Sequence, residues 1–226
     1  MIRRTASPIV TPMITARQAL DRLREGNERF VTGVRSMDML ASQTRRNELA
    51  TSQAPFAIIL GCSDSRVPAE IVFDQGLGDL FVIRVAGNIV ASSQIGSVEF
   101  AAERFGTPLV VVLGHSLCGA VQATLEELIR PKEQQSPNLR SIVDRIRPSV
   151  ETLLATELRY DPVALVRHAV RGNVRVSANH LRNGSRILEH LIQREGLLVV
   201  GAEYSLETGA VDFFDGVPDA WRLAAV

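Results

Sequence analysis

Residues 109–119 read LVVVLGHSLCG. The first five residues are apolar and a glycine follows them, which is typical of a strand buried on both faces in a parallel sheet. Similar short apolar runs occupy 56–60, 80–83 and 197–200. The pattern predicts a central, mostly parallel sheet of four strands.

Helical patterns alternate with these strands, and the predicted helices cover 15 to about 30, 94–105, 120–130 and a long stretch, 161–195. Strands that alternate with helices give a three-layer α/β/α fold, with helices on both faces of the sheet. The segment 203–214 alternates more regularly around a Glu-Thr-Gly turn and predicts an antiparallel hairpin. We therefore expect the sheet to end in a C-terminal antiparallel edge strand.

One helical stretch has two possible interpretations, and two polar stretches have no predicted helix or strand. The long stretch begins with an N-cap, Asp161, and a proline follows it. Gly172 and Gly184 lie inside the stretch, so the sequence leaves open whether it forms one helix or two. No element is predicted in the polar stretch 32–54, and 131–137 is interpreted as a polar loop.

The chain is predicted to form one domain preceded by a short arm. Residues 1–14 show no periodicity and are expected to form an N-terminal arm, either frayed or packed on a partner subunit. Thr15 and Gln18 form a capping-box pattern that opens the first helix. The single domain then covers 15–226.

The composition is that of an ordinary globular protein of 226 residues, 46% apolar and 22% charged. Its 25 basic and 25 acidic side chains balance, which argues against a general nucleic-acid binder because no excess of cations can neutralise phosphates. No apolar run reaches the length of a transmembrane helix, and no secretion-signal core follows the basic start of the chain. We expect a cytoplasmic protein with no nucleic-acid and no membrane partner.

The two cysteines of the chain, Cys62 and Cys118, both lie just beyond predicted strands, and His115 precedes Cys118 by three positions. Two cysteines are too few for a disulfide framework. Ligands bind beyond the carboxyl ends of the strands in open α/β sheets. Two thiolates and one imidazole suit zinc, and three protein ligands leave one tetrahedral position open, as a catalytic zinc site requires.

A carboxylate and a guanidinium follow the first cysteine in the same turn. Asp64 can fill the fourth position of the metal or lie beside it, and Arg66 can pair with Asp64 and hold it off the metal. Zinc held by thiolates in a cavity can bring the pKa of its water towards ~7. Such a site would make hydroxide available near neutral pH.

Other chemistries explain these residues less well. The stretch 114–118 is similar to the turn that carries a hydrolase nucleophile, Ser116, but a cysteine stands where that turn requires glycine. A thiol nucleophile paired with histidine would leave the second cysteine unexplained. Glycine-rich phosphate loops are absent from the sequence. The other histidines, His168, His180 and His190, are interpreted as surface or packing residues.

The motifs resemble those of the β-class carbonic anhydrase family. The resemblance lies in CSDSRVP at 62–68, FVIRVAGN at 81–88, HSLCG at 115–119 and GAEY at 201–204, and it covers about 15–215. It implies one zinc ion per chain, with Cys62, His115 and Cys118 as its ligands.

The same resemblance implies a mechanism. In such enzymes the residues matched by Asp64 and Arg66 form a catalytic pair, and the aspartate accepts a hydrogen bond from zinc-bound hydroxide. The hydroxide attacks carbon dioxide, bicarbonate leaves, and a proton passes to buffer. The expected activity is therefore the reversible hydration of carbon dioxide, with zinc supplying the nucleophile and stabilising charge.

The family's substrate pocket can also be carried over by position. Gln53 matches a glutamine that donates to the substrate oxygen, and Phe81 matches a wall residue. Ala86 stands where many relatives have valine, and Phe100 stands where plant-like members have tyrosine, which removes one hydroxyl from the pocket. Gly119 completes the expected substrate-binding set.

The resemblance further implies a homodimer or homotetramer, because the family's cleft is completed across a dimer interface. A subgroup of the family holds bicarbonate in a secondary pocket that requires a tryptophan where this chain has Ile59, so the chain is similar to the bacterial members without that pocket. Two alternative functions stay open here. One is hydrolysis of a carbon dioxide analogue, CS2 or COS, on the same zinc site, and the other is a non-catalytic, zinc-containing protein that binds bicarbonate.

Overall fold

The computed structural model describes residues 14–34, 42–131 and 136–221. Its centre is a five-stranded sheet in the order β2-β1-β3-β4-β5, in which the first four strands are parallel and β5 is antiparallel to β4. The predicted parallel sheet with an antiparallel C-terminal edge strand is confirmed. The strands are β1 Ala57–Gly61, β2 Leu80–Arg84, β3 Leu109–His115, β4 Leu198–Tyr204 and β5 Val211–Asp215.

Helices cover both faces of this sheet, as the alternating pattern predicts. They are α1 Ala16–Thr32, α2 Gln43–Leu49, α3 Ala69–Val72, α4 Ser92–Phe105, α5 Gly119–Ile129, α6 Pro137–Leu154, α7 Pro162–Asn183 and α8 Arg186–Arg194. Short 3-10 turns lie at Ala86–Asn88, Glu157–Tyr160 and Asp219–Trp221.

The two faces of β1 show why its apolar run is continuous. Ala57 and Ile59 pack into a cluster with α1 and α3, whereas Ile58 and Leu60 pack into a second cluster with α4, α7 and α8. All four side chains are fully buried. Because alternate residues face opposite layers, both layers must be apolar, and the three-layer α/β/α architecture follows.

The first helix begins at the predicted capping box. The Thr15 backbone N–H donates to Gln18 Oε1 at 2.8 Å, and the Gln18 N–H donates to Thr15 Oγ1 at 3.2 Å. The helix ends at Gly33, whose φ of 74° lies in the left-handed region. Of the arm predicted over 1–14, residues 1–13 lie outside the described residues.

The long helical stretch forms two helices, so the one-helix alternative is wrong. The break lies at Gly184, and Ser185 caps the start of α8 by accepting the Leu188 N–H at 3.2 Å. The other candidate, Gly172, lies inside α7. A Cβ there would stand 2.9 Å from the Ser149 carbonyl oxygen of α6, so this glycine permits close packing of two helices.

Three helices, α2, α3 and α6, were not predicted. The stretch 32–54 contains α2, which has no buried residue and therefore no apolar period to read. Of the loop predicted over 131–137, residues 132–135 lie outside the described residues, and Pro137 is the first residue of α6. The buried residues of α6 include Val143 and Ile146, and Pro148 inside the helix obscures its pattern.

The fourth strand is longer than its apolar run. It continues through Gly201 to Tyr204, so the first half of the predicted hairpin is the end of β4. A Cβ at Gly201 would lie 2.8 Å from Val174 Cγ1 and 3.0 Å from Asp215 Cβ. Glycine is required there because α7 and β5 both approach the strand. Within the described ranges, no helix combines the length and hydropathy that a membrane crossing requires.

Candidate metal centre

The candidate centre lies at the carboxyl edge of the sheet, where β1 and β3 end side by side. These strands pair in parallel, with Gly61 opposite Leu113. Cys62 follows β1 directly, His115 is the last residue of β3, and Cys118 is the N-cap of α5. The topology therefore brings three side chains from two separate segments of the chain to one place.

The ligand atoms of these three residues form a compact cluster. Their sulfur and nitrogen atoms all lie within 4.8 Å of one another, and all three residues are buried. Neither cysteine forms a disulfide. Soft thiolates and an imidazole at such separations can ligate one transition-metal ion.

Hydrogen bonding aims the imidazole at this cluster. His115 Nδ1 lies 2.9 Å from the Ser116 carbonyl oxygen, which can only accept, so Nδ1 carries the proton. The other ring nitrogen, Nε2, is buried and has no hydrogen-bond partner among the described residues. Its lone pair is therefore free for a metal, and the bond to Ser116 fixes the ring as backbone carbonyls do at metal sites.

The two thiols affect each other's pKa in opposite directions. The Cys118 thiol, together with His115 and the Gly87 N–H, lowers the pKa of Cys62 to about 4 against the opposing effect of burial. The hydrogen bond to the Cys62 thiolate raises the pKa of Cys118, and burial raises it further. The pKa of His115 is raised by that thiolate, although burial acts in the opposite direction. Only a cation in the cluster would ionise both thiols, so the donor set fits a divalent metal.

The neighbouring carboxylate is clamped by a guanidinium. Asp64 Oδ1 accepts from Arg66 Nε at 2.9 Å, and Asp64 Oδ2 accepts from Arg66 Nη2 at 2.7 Å. The Arg66 backbone N–H also donates to Oδ1, at 3.0 Å. Both carboxylate oxygens are thus engaged in a bidentate pair.

This clamp sets the charge of the carboxylate. The Arg66 guanidinium holds the pKa of Asp64 well below its usual range, so the group is ionised throughout the neutral range. Asp64 Oδ2 lies 3.8 Å from His115 Nε2. A permanent negative charge therefore stands at the rim of the cluster, next to the nitrogen that faces a metal.

A further arginine supports this loop and was not assigned a role from the sequence. Arg84 Nε donates to the Cys62 carbonyl at 3.0 Å, and its Nη2 donates to the Asp64 carbonyl at 2.6 Å. The signal available in the sequence was its place at the end of β2, the strand adjacent to β1. Arg84 therefore fixes the backbone between the first cysteine and the carboxylate.

Two of the apolar side chains that are predicted to line the substrate pocket lie close together, one on β2 and one on α4. The Phe81 and Phe100 rings lie 6.3 Å apart, and both contact Phe105, which was not predicted. Phe81 is half-buried, whereas the Phe100 side chain is 53% exposed. One chain therefore leaves part of this aromatic cluster open.

The remaining predicted pocket residues lie at three different places. Ala86 is half-buried in the 3-10 turn after β2, and Gly119 is the exposed first residue of α5. Gln53 is exposed before β1, and no hydrogen bond joins it to another described residue. The three other histidines, at 168, 180 and 190, are exposed on α7 and α8, as expected.

The fold and the cluster define a class of protein: an α/β protein with a three-ligand Cys-His-Cys site, beside a clamped carboxylate at the carboxyl edge of a parallel sheet. Three such donors are able to hold a transition-metal ion and leave one coordination position open. Comparison with known proteins identifies the family within this class. The sequence profile of the carbonic anhydrase family matches residues 57–211, and the chain belongs to this family.

Relatives and solved structures agree with this membership. The chain is 42% identical over 187 residues to carbonic anhydrase 2 of Mycobacterium tuberculosis, covering 83% of this chain and 87% of that protein. It is 48% identical over 128 residues to the carbonic anhydrase of Mycolicibacterium smegmatis, covering 57% and 61%.

The structural neighbours specify the class within the family. One of two tetrameric β-carbonic anhydrases of Sordaria macrospora superposes with a TM-score of 0.67 at 26% identity, covering 76% of this chain and 87% of that chain. A β-carbonic anhydrase of Aspergillus fumigatus superposes with a TM-score of 0.68 at 27% identity, covering 77% and 83%. The chain is therefore similar to the β class in both sequence and fold, as its motifs predict.

Proposed function

We propose that this chain catalyses the reversible hydration of carbon dioxide to bicarbonate and a proton, with one zinc ion held by Cys62, His115 and Cys118. The observation that carries the proposal is the buried cluster of three ligand atoms within 4.8 Å, next to a carboxylate clamped by Arg66. The relatives described above are carbonic anhydrases, which does not favour the CS2/COS hydrolase or the non-catalytic alternative.

The donor atoms indicate which metal the site would hold. Two sulfurs and one nitrogen suit zinc better than magnesium or calcium, which prefer oxygen. Zinc bound there would bring the pKa of a water molecule near neutrality and stabilise the negative charge that develops on the substrate. Because the chain supplies three ligand atoms, a bound zinc ion would have one coordination position left for chemistry.

Asp64 accepts the hydrogen bond that orients the attacking oxygen. An ionised carboxylate can only accept, so the proton of that oxygen points to Asp64 and a lone pair is left facing the substrate. Arg66 has two effects on this step. It keeps Asp64 ionised, and its bidentate contact holds both carboxylate oxygens away from direct ligation.

The substrate side of the site is apolar, which suits a small uncharged molecule. Phe81, Phe100 and Ala86 form the walls, and Gln53 donates a hydrogen bond to a substrate oxygen. Gly119 has no side chain, so its backbone at the start of α5 is open to the substrate. The bound bicarbonate would then be released because the apolar walls disfavour its charge.

We propose that the working unit is a homodimer or a homotetramer. β2 is an edge strand of the described sheet, and Phe100, whose ring lies 6.3 Å from that of Phe81 on β2, is 53% exposed. Exposed apolar residues beside an open strand edge favour association with another chain. Cysteines that bind a metal must stay reduced, which supports placement in the cytoplasm.

The proposed activity is tested by stopped-flow measurement of carbon dioxide hydration, paired with metal analysis of the same preparation. We expect about one zinc per chain and a hydration rate that disappears with the metal and returns on its readdition. The control is the same protein treated with chelator and then given magnesium. A zinc protein that hydrates carbon dioxide no faster than buffer would refute the proposal.

A mixing experiment tests whether Gln53 acts across the subunit interface. Gln53→Ala removes a substrate donor and is expected to reduce hydration about 100-fold. If Gln53 completes the partner's site, chains carrying Gln53→Ala and chains carrying Asp64→Ala should regain about a quarter of wild-type activity when mixed, because each heterodimer then contains one complete site.

The control mixture combines Asp64→Ala with Cys118→Ser, two changes at the same chain's centre. No heterodimer in that mixture contains a complete site, so no recovery is expected. Absence of recovery in the Gln53 mixture, with exchange of subunits shown by light scattering or native mass spectrometry, would assign Gln53 to the site of its own chain.

A further inference from the structure

The 3-10 turn after β2 connects the candidate metal centre to α7 through one residue. The Gly87 backbone N–H donates to Cys62 Sγ at 3.3 Å. The Gly87 carbonyl oxygen accepts from Asn173 Nδ2 at 2.7 Å. The two backbone polar groups of Gly87 therefore bond to a proposed metal ligand on one side and to a buried amide on the other.

Gly87 lies in a conformation and in a space that favour glycine. Its φ of 69° lies in the left-handed region, and a Cβ would stand 2.8 Å from Ile146 Cδ1 and 3.1 Å from Ala120 Cβ. The next residue, Asn88, also has a positive φ, 43°. Two consecutive residues in this region persist only where surrounding contacts hold them, and the bond from Asn173 is such a contact.

Asn173 is an unusual residue for its position. It lies within α7 at 1% exposure, among apolar side chains of the layer that covers the sheet. Its Nδ2 is satisfied by Gly87, but its Oδ1 has no hydrogen-bond partner among the described residues. A buried acceptor without a partner destabilises a fold, so an apolar residue of similar size would serve packing at least as well.

We propose that Asn173 is a positioning residue for the metal centre. It holds the Gly87 carbonyl, which fixes the turn so that the Gly87 N–H stays directed at Cys62 Sγ. A hydrogen bond to a metal-bound thiolate tunes how strongly that sulfur donates to the metal. The inference rests on the zinc site of the proposed function and concerns a residue separated from Cys62 by more than a hundred positions.

The test compares two buried asparagines. Asn173→Leu removes the donor and the unpaired acceptor while keeping approximate size, and Asn27→Leu is the matched control. Asn27 is also buried and donates to backbone carbonyls, those of Val72 and Gly209, but it bonds to no residue of the centre. Zinc affinity is measured by chelator competition, and the thiolate-to-metal charge-transfer band is recorded with Co2+ in place of zinc.

We expect Asn173→Leu to weaken zinc binding about tenfold, which is the lower end for loss of a group that supports a ligand, and to shift the Co2+ charge-transfer band. Its unfolding midpoint without metal should fall, because the buried Gly87 carbonyl loses its donor, and the control is therefore matched in stability. Asn27→Leu should lower that midpoint and leave both metal readouts unchanged.

Unchanged zinc affinity and an unchanged band in Asn173→Leu would overturn the inference, and so would an equal change in Asn27→Leu. If Asn173→Leu does not fold, Asn173→Ala, whose smaller side chain fits the same space, is judged by the same two readouts. Failure of the proposed function looks different, since the wild-type protein itself would then either bind no zinc or bind zinc without hydrating carbon dioxide.

Discussion

Replacing Asp64 with alanine is expected to leave zinc bound and to reduce carbon dioxide hydration about 100- to 1,000-fold, the usual loss when one group that acts on the transition state is removed. Asp64 is not one of the three clustered ligand residues, so the metal should stay. The carboxylate is the acceptor that orients the attacking oxygen, and alanine offers no acceptor. Stopped-flow turnover and zinc content measured on one preparation check both parts of this expectation.

Two further variants make the test of Asp64 sharper. Asp161→Ala removes a carboxylate that caps α7, so it should lower stability and leave turnover unchanged. Asp64→Asn keeps the shape of the side chain but loses its charge, and we expect most of the loss seen with alanine. If Asp64→Ala turns over at the wild-type rate, the orienting role is wrong.

The pH dependence has a definite sign. Arg66 holds the pKa of Asp64 well below its usual range, so ionisation of Asp64 should produce no step in wild-type activity between about pH 5 and 8, a window above the ordinary aspartate pKa. In Arg66→Gln that pKa rises toward its ordinary value. The part of the activity loss that protonation of Asp64 causes should therefore appear at higher pH in the variant, and a shift of that step to lower pH would contradict the clamp.

Replacing Cys118 with serine should abolish zinc binding and hydration together. A serine hydroxyl is not ionised near neutrality and is a poor zinc ligand, so the site keeps one thiolate and one imidazole. We expect the zinc content after dialysis to fall below roughly a tenth of an ion per chain, because the remaining two ligands bind far more weakly than three. Metal analysis and hydration assays on the same sample measure both effects.

The control for this substitution changes a neighbouring side chain that does not face the cluster. Ser116 Oγ accepts the Leu206 N–H at 3.0 Å, whereas the Ser116 group that fixes His115 is its backbone carbonyl. Ser116→Ala should therefore cost some stability and keep the metal. Stoichiometric zinc in Cys118→Ser would break the assignment of the ligands.

Local patterns were sufficient for the sheet and for the ends of several helices. The β1 and β3 runs predict buried strands because both of their faces pack against helices. The capping box at Thr15 and the N-cap at Asp161 were predictable because each acts within three residues of itself. In contrast, α2 has no buried face, so no periodicity marked it.

The candidate site was predictable in part for the same reason. Cys62, His115 and Cys118 stand just beyond strands, and parallel strands end at one edge of the sheet. Arg84 and Asn173 act on the site through backbone carbonyls. An arginine or a buried asparagine has many other uses in a sequence, so no motif identifies such a contact.

The sequence by itself determined the strands, the alternation of layers and the identity of the candidate metal ligands, because these follow from local periodicity and from the chemistry of a few residue types. The tertiary structure alone decided which carboxylate oxygens Arg66 engages, which nitrogen of His115 is free, and that the Asn173 amide reaches Gly87 from another helix. The Asn173–Gly87 bond joins distant segments of the chain. The other two contacts are local, but they depend on side-chain and backbone geometry that a pattern of residue types does not specify.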